Sequence, residues 1–269
     1  MKVRSFPPAA LLCLPGGGMQ SEKLNSPSTG TPAGLKIERT GDVLYFTLDN
    51  PAEGNRVTGA MLDAMLNVLR SEASHPSTRV LIIRAHGDVF CTGRERAGRD
   101  VTSIRQESAR ILEFKHALRT TSLISIAAVQ GDAMGFGFGL AIVCDFVLVA
   151  QHAALGFPEM RSGLAPAAIM SYLGDYTLPR FAFPLVLFGD PIDPRRALQI
   201  GLISQVSTAE RLNEDVNSLV QRIMALDPTA SRKCKEFFNV AAQNSFEQNC
   251  RLATEVLTIG SLSVLAREK

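Results

Sequence analysis

The stretch that decides the fold runs from Ile126 to Glu159 and reads IAAVQGDAMGFGFGLAIVCDFVLVAQHAALGFPE. Its first four residues are apolar and predict a buried strand, and the apolar run from Phe146 to Ala150 predicts a second one. Between them lies a glycine-rich corner, which leads into an apolar helical segment that ends at Cys144. Glycines between a strand and a helix let the main chain approach a ligand closely, and the free N–H groups of the helix N-terminus then face it. This geometry suits a phosphate or a developing oxyanion.

Three interpretations of the glycine corner compete. The first is close packing of the helix on the strand, without a ligand. A dinucleotide site requires G-x-G-x-x-G, but Leu140 stands where the third glycine belongs, and the next suitable acid, Glu159, follows a loop rather than a strand. A P-loop is excluded because the chain contains no Gly-Lys-Ser/Thr. The third interpretation is an oxyanion hole.

Composition indicates a soluble enzyme of medium size. The chain has 269 residues, of which 46% are hydrophobic, and can bury a sizeable core in one domain or two. Its net charge of +2 is small and evenly spread, which predicts neither a nucleic-acid partner nor a membrane partner. The five cysteines are scattered without a C-x-x-C pair, which is typical of a reduced, cytoplasmic setting. No spacing of His, Cys or acidic residues suggests a metal site.

The chain divides into regions of different composition. Residues 1–34 are rich in Pro, Gly, Ser and Thr and predict a disordered extension, although the apolar run 9–14 resembles a weak secretion signal. Strands are expected at 35–39, 43–48 and 80–83 and helices at 59–71 and 100–120, which indicates α/β layering. Helices expected at 208–226, 228–243 and 245–260 have apolar faces that need a partner.

Several ordered motifs resemble the enoyl-CoA hydratase/isomerase family, the crotonases. The resemblance is strongest in IAAVQG, in the glycine corner and in LGFPEMRSGLAP, and weaker in LDNP, FCTGRE, FGDPIDPRRALQIGLISQV and LDPTASRKCK. It implies an α/β fold in which residues 35–206 form a spiral core of repeated ββα turns. It also implies that residues 207–269 form a helical region that assembles homotrimers, often paired as hexamers. The implied substrate is an acyl-CoA thioester, with coenzyme A as part of the substrate and no separate cofactor.

Thioester chemistry explains why such a site needs an oxyanion hole. A thioester acidifies its α-carbon only if the enolate oxygen is stabilised as charge develops, and two main-chain N–H groups do this without reorganisation. The resemblance implies that these donors belong to Arg94, after Gly93, and to Phe136, after Gly135. Phe136 replaces the glycine usual in relatives, so its ring must turn away from the thioester or narrow the acyl pocket.

The carboxylates distinguish between the possible reactions. Hydratases of the family carry two, and the resemblance assigns the first to Gly139, which has no side chain, and the second to Glu159. Adding water is easiest with two proton-handling groups, whereas moving a double bond from β,γ to α,β needs only one. The sequence therefore favours an isomerase with Glu159 as its catalytic residue. The alternatives are an enoyl-CoA hydratase and a non-catalytic acyl-CoA-binding or assembly subunit.

A hydratase would need a replacement for the missing first acid. Asp132 and Glu95 are candidates. Each also has a structural interpretation, because Asp132 can form a turn and Glu95 can order the loop that contains it. Glu159 itself also suits a structural role as a first-turn carboxylate after a proline. Four residues are expected to contact the substrate: Arg56, Gly93, Gly135 and Gly139. Of these, Arg56 is expected to face the phosphates of coenzyme A.

Overall fold

A computed structural model of the chain describes residues 31–267, so residues 1–30 of the predicted extension lie outside the described part. The strands in chain order are β1 (Leu35–Thr40), β2 (Val43–Leu48), β3 (Val80–Ala85), β4 (Val89–Cys91), β5 (Ile124–Val129), β6 (Asp132–Met134), β7 (Phe146–Ala150), β8 (Leu155–Gly156) and β9 (Gln205–Ser207). The helices are α1 (Gly59–Ser74), α2 (Val101–Thr120), α3 (Phe136–Ile142), α4 (Ala167–Leu173), α5 (Pro179–Phe188), α6 (Pro194–Gln199), α7 (Leu212–Met224), α8 (Pro228–Ala241) and α9 (Phe246–Arg267). Short 3-10 helices cover Pro51–Glu53 and Pro158–Ser162.

The strands form two sheets. The larger sheet has the order β1-β2-β3-β5-β7-β9, and the smaller one has the order β4-β6-β8. β1 and β2 form an antiparallel hairpin, and every other neighbouring pair is parallel. Parallel neighbours need crossover connections. The connection from β2 to β3 passes through α1, and the later ones pass through a strand of the small sheet and at least one helix, as in β3-β4-α2 and β5-β6-α3. The predicted α/β architecture with ββα repeats is confirmed.

Most sequence-predicted elements appear close to their expected bounds. Thr58 caps α1, because its hydroxyl accepts from the Met61 N–H at 3.2 Å, and Asp100 caps α2 in the same way. The helix expected from residue 208 begins only at Leu212, and the central helix begins at Phe136, within the glycine corner. Between residues 31 and 267, no helix is long and apolar enough to cross a membrane.

Part of the glycine corner serves close packing. A Cβ added to Gly137 would lie 2.1 Å from the carbonyl oxygen of Cys91, so α3 rests directly on the main chain of β4. All residues of α3 are buried, and the ring of Phe138 stacks on that of Phe157 at 5.1 Å between centroids. The packing interpretation is therefore correct for Gly137. It leaves the other glycines of the corner to be explained.

An ion pair between a buried lysine and a partly exposed aspartate attaches helix α8 to the central sheet. Lys235 is 7% exposed, and its Nζ lies 2.6 Å from an Asp145 carboxylate oxygen and 2.6 Å from the Leu123 carbonyl oxygen. The same carboxylate oxygen accepts from the Ser125 N–H at 2.7 Å and from its hydroxyl at 2.8 Å. Asp145 is therefore a structural group that joins β5, the end of α3 and α8.

We expect Lys235→Met to lower the free energy of unfolding by about 1–3 kcal/mol, because it leaves the Asp145 carboxylate, whose side chain is only 25% exposed, without its cation. Lys233→Met is the matched control, since the exposed Lys233–Glu236 pair contributes only about 0.5 kcal/mol or less. Urea unfolding of both variants measures the difference. Equal midpoints for the two variants would show that the Lys235 pair does not stabilise the fold.

Candidate active site

The first predicted donor lies in the loop after β4. Gly93 has a φ of +142°, which favours glycine, and its carbonyl accepts from the Val57 N–H at 3.1 Å. The Glu95 N–H donates to the Val57 carbonyl at 2.9 Å. These two bonds fix the main chain on both sides of Arg94, whose own N–H has no main-chain acceptor within residues 31–267. The Arg94 N–H is therefore free for a ligand.

Asn55 holds this loop from behind. It is fully buried with a φ of 53°, and its side-chain amide donates to the carbonyls of His86 at 2.8 Å and Val89 at 2.7 Å. Its side-chain oxygen accepts from the Asn50 N–H at 3.0 Å. A buried asparagine with these bonds supports the main chain that leads into the first donor loop.

The second predicted donor is the first residue of α3. Gly135 precedes it with φ +54° and ψ −117°, and the Gly135 N–H donates to the Gly156 carbonyl at 2.8 Å. The Phe136 N–H, at the helix N-terminus, has no main-chain acceptor in the described part of the chain. The Phe136 ring is buried and packs over the Nζ of Lys115 at 4.5 Å from the ring centroid. The ring therefore turns inward rather than across the donor.

Both predicted donor residues line one cavity. Its volume is about 260 Å³, and it lies between the first donor loop, α1 and α2. The apolar part of its wall includes Leu62 and Ile111, and the polar part comes mainly from α2 and the loop before it. The polar residues of the wall are Thr58, Arg94, Glu95, Ser103, Gln106, Glu107 and Arg110.

Glu159 lies beside the second donor rather than in this cavity. It follows Pro158 in a 3-10 helix, and its Oε1 is 2.9 Å from the position that a Cβ on Gly135 would take. Its Oε2 is buried and has no hydrogen-bond partner among the described residues. Burial raises the pKa of Glu159 above its ordinary value, although the charge of Arg96 opposes this. A carboxyl with such a pKa next to a free N–H can exchange protons with a bound ligand.

Within residues 31–267, no carboxylate oxygen is among the three atoms nearest to the position of a Cβ on Gly139. Asp132 accepts from the Ala154 N–H at 2.8 Å, which supports its interpretation as a turn former. Glu95 is exposed beside the first donor. The space that a side chain at Gly139 would take is filled by two other groups, because an added Cβ would lie 2.4 Å from Cδ1 of Ile169 and 2.7 Å from the Tyr172 hydroxyl oxygen.

Lys115 lies close to Gly139, and its place at this site was not predicted from the sequence. Its Nζ is 3.6 Å from the position of a Cβ on Gly139. Lys115 is the one charged residue in a buried stripe of α2 with Ile111, Phe114 and Leu118. A cation within an apolar helical stripe is the signal that could have identified it.

The arginines at the first donor loop are engaged differently. The exposed Arg56 donates through Nη2 to the Arg94 carbonyl at 3.3 Å, so its side chain lies beside the first donor. The Arg94 guanidinium forms an ion pair with Glu107 and donates to the Glu95 carbonyl at 2.9 Å. Its charge is thus already compensated. Within residues 31–267, no group of three or more His, Cys, Asp or Glu side chains could hold a metal ion.

Two sheets linked by ββα turns are the architecture of the crotonase class. The sequence profile described as enoyl-CoA hydratase/isomerase matches residues 38–259. The chain therefore belongs to the enoyl-CoA hydratase/isomerase family.

Individual relatives differ in their reactions. The 2,3-dehydroadipyl-CoA hydratase of Escherichia coli (strain K12) is 30% identical over 82% of this chain and 89% of its own length. An enoyl-CoA isomerase/hydratase of Mycosarcoma maydis is 31% identical over 76% of this chain and 79% of its own. A protein of Thermobifida fusca YX, whose crystal structure contains CoA, is 28% identical to this chain. The two structures align with a TM-score of 0.79 over 87% of this chain and 95% of the other. The chain is thus an enzyme of the crotonase superfamily.

Proposed function

We propose that this enzyme shifts a double bond of an enoyl-CoA from the β,γ to the α,β position, with Glu159 as the single proton carrier. One observation supports this most: the Glu159 carboxyl lies against Gly135, whereas Gly139 presents no carboxylate. Migration of a double bond needs one group that moves a proton between two carbons, so one carboxyl is sufficient.

The proposed reaction has two steps. The Glu159 carboxylate takes a proton from Cα, and the electron pair of the broken C–H bond moves into a dienolate whose charge lies on the thioester oxygen. The N–H groups of Arg94 and Phe136 donate to that oxygen. Glu159 then gives its proton to Cγ, the electrons return, and the double bond lies between Cα and Cβ. Preorganised donors of this kind account for a large part of catalysis because they act where charge develops.

Acyl-CoA recognition is proposed to involve Arg56 and the glycines at the donors. Arg56 is exposed next to the first donor and can reach a phosphate, whereas the Arg94 guanidinium is held by Glu107. Gly93 and Gly135 keep the main chain open, because neither carries a Cβ that would cover the donors. The relative from Thermobifida fusca, which was crystallised with CoA, supports the same ligand for this chain.

A hydratase is the second candidate. The relatives from Escherichia coli and from Thermus thermophilus, which is 26% identical over 81% of this chain, are both named as hydratases. Hydration is favoured by a second proton-handling group in addition to Glu159. A non-catalytic acyl-CoA-binding subunit is the third candidate and is separated from the others by the same experiment.

The experiment offers the protein a β,γ-enoyl-CoA and an α,β-enoyl-CoA and follows both products by chromatography and mass spectrometry. An isomerase converts the β,γ-enoyl-CoA to its α,β isomer, and Glu159→Gln abolishes this. Formation of hydroxyacyl-CoA from the α,β isomer without any isomerisation would overturn the isomerase assignment. Acyl-CoA binding without conversion of either thioester would favour the non-catalytic subunit.

The raised pKa of Glu159 predicts the pH dependence of isomerisation. Glu159 must be deprotonated to take the Cα proton, so the rate falls as the pH drops through the raised pKa. We expect the acid limb of kcat/KM to have its midpoint above 4.5, the ordinary value for this carboxyl. A midpoint at or below that value would contradict a desolvated catalytic carboxyl.

We also propose that the C-terminal helices assemble the protein into homotrimers, which can pair as hexamers. Helices α8 and α9 expose large apolar side chains that a monomer would leave in water. The exposed apolar residues of these helices include Phe238, Phe246, Leu257, Ile259, Leu262 and Leu265. Native mass spectrometry tests the stoichiometry, and a monomeric mass at micromolar concentration would contradict it.

A cytoplasmic location is proposed from the state of the cysteines. Cys91, Cys144, Cys234 and Cys250 are all free thiols. Disulfides are rare in reducing compartments, so free thiols are compatible with this location. Fractionation of the native host cells tests it, and recovery of the protein outside the cytoplasmic fraction would contradict it.

A further inference from the structure

Helix α2 places one lysine in the protein interior. Lys115 is 4% exposed, and its Nζ has no hydrogen-bond partner among residues 31–267. The other buried residues of the same helix are Ile111, Phe114 and Leu118, which are apolar. Removing a charged amine from water without a partner is costly, so such a lysine needs a reason other than packing.

The titratable groups that face Lys115 are neutral near pH 7. They are Cys91 of β4, Cys144 after α3 and Tyr172 of α4. Burial raises the pKa of Cys91 to about 11 and that of Cys144 to about 12, and it also raises the pKa of Tyr172. Desolvation lowers the pKa of Lys115 to about 7. Both protonation states of the amine are therefore populated near neutral pH.

The amine lies next to the space that a side chain at position 139 would take, behind the closer Ile169 and Tyr172 side chains. The Lys115 Nζ is 3.6 Å from the position of a Cβ on Gly139, and the Tyr172 hydroxyl donates to the Gly139 carbonyl at 3.2 Å. The family resemblance assigns the first carboxylate to this position. A proton-accepting group from α2 therefore occupies the neighbourhood of the acid that Gly139 lacks.

Lys115 and Glu159 lie against neighbouring turns of α3. Glu159 lies over Gly135, and Lys115 lies beside Gly139. The Gly139 N–H donates to the Gly135 carbonyl at 2.9 Å, so these two positions are about one helical turn apart, roughly 6 Å along the axis. Two buried polar atoms without hydrogen-bond partners among residues 31–267, Glu159 Oε2 and Lys115 Nζ, thus lie on the same side of α3 as the second donor residue.

We propose that Lys115 is a second catalytic residue of this site and enables the enzyme to add water to an α,β-enoyl-CoA. This rests on the proposed function, because it uses the same oxyanion hole and Glu159. The neutral Lys115 amine takes a proton from water while the water oxygen bonds to Cβ, and the π electron pair moves onto the thioester oxygen. Protonated Glu159 then gives its proton to Cα as the enolate collapses. The product is a 3-hydroxyacyl-CoA, and the proton on Lys115 returns to Glu159 through solvent.

Hydration and isomerisation then differ in their pH dependence. Hydration requires Lys115 and Glu159 to hold one proton in total. The rate of hydration therefore decreases at a pH below the pKa of Glu159, where both groups are protonated, and at a pH above about 7, where both are deprotonated. Isomerisation requires only the Glu159 carboxylate and keeps its rate above pH 7. Arg96 and Tyr172 are the other titratable groups that interact with Glu159, and neither changes charge in this range.

The test compares Lys115→Met with the wild type on both enoyl-CoA substrates. The variant removes the amine and keeps an apolar chain of similar length, which suits a buried site. We expect the ratio of hydration to isomerisation to fall by about 100-fold or more. His116→Met is the control, because His116 is the next residue of α2 and is exposed, so its ratio should equal that of the wild type.

Each outcome separates this inference from the function on which it rests. The role of Lys115 alone would be overturned if Lys115→Met kept the hydration-to-isomerisation ratio of the wild type. It would also be overturned if the hydration rate of the wild-type enzyme did not decrease above pH 7. A wild type that isomerises but never forms hydroxyacyl-CoA would also overturn it, while leaving Glu159 as the isomerisation catalyst. A wild type that converts neither substrate overturns the proposed function, and the role of Lys115 with it.

Discussion

Glu159→Gln should lower kcat for double-bond migration by about 10²–10⁴-fold, the usual contribution of a positioned proton-transfer group. The amide keeps the shape of the carboxyl against Gly135 but cannot take a proton from Cα. Binding of acyl-CoA should change little, since the phosphates and the thioester oxygen are held elsewhere. Steady-state kinetics with a β,γ-enoyl-CoA, together with calorimetry of a saturated acyl-CoA, measures both quantities.

The control for this variant is Glu95→Gln, which removes an exposed carboxylate that lines the cavity near the first donor. It should leave kcat close to the wild-type value, because Glu95 lies in the first donor loop and not against Gly135. If Glu95→Gln and Glu159→Gln reduced kcat equally, the cavity and not the α3 side of the site would hold the proton carrier.

Gly135→Ala should lower kcat by about 10²–10³-fold, comparable to the loss of one oxyanion donor. The new Cβ would lie 2.9 Å from Oε1 of Glu159, and the φ of +54° is unfavourable for alanine. The helix start and the carboxyl must therefore move apart, which displaces the Phe136 N–H and Glu159 together. Stopped-flow kinetics at saturating substrate isolates this effect on the chemical step.

Gly41→Ala separates strain from the effect on the site. Gly41 has a φ of +55° in the β1–β2 turn, and a Cβ added there would meet nothing within 4 Å. We expect it to lose about 1–2 kcal/mol of stability from backbone strain while keeping its kcat. An active Gly135→Ala variant, with a stability loss like that of Gly41→Ala, would show that the close approach of Glu159 to Gly135 is not required.

The elements that the sequence predicted correctly depend on local patterns. The hairpin of β1 and β2, the buried strand β5 and the Thr58 cap of α1 follow from period-two alternation, apolar runs and a capping hydroxyl. These signals come from residues close in sequence and need no tertiary contact. The helix expected from residue 208 begins at Leu212, because boundaries depend on packing that periodicity does not report.

The parts of the site that could not be predicted depend on distant contacts. Glu159 reaches Gly135 only because β8 lies next to β6, which brings the 3-10 helix to the start of α3. Likewise, Lys115 meets Gly139 through the packing of α2 on α3, and α2 alone indicates only a cation in an apolar stripe. The inward turn of the Phe136 ring depends on the same contact with Lys115.

Exchange of the α-protons of a saturated acyl-CoA in D₂O tests the central claim most directly, because it requires an enolate but no double bond. Mass spectrometry of butyryl-CoA incubated with the enzyme should show deuterium at Cα with the wild-type protein and none above background with Glu159→Gln. Absence of exchange with the wild type, or equal exchange with both proteins, would contradict an enolate formed at Arg94 and Phe136 by the Glu159 carboxylate.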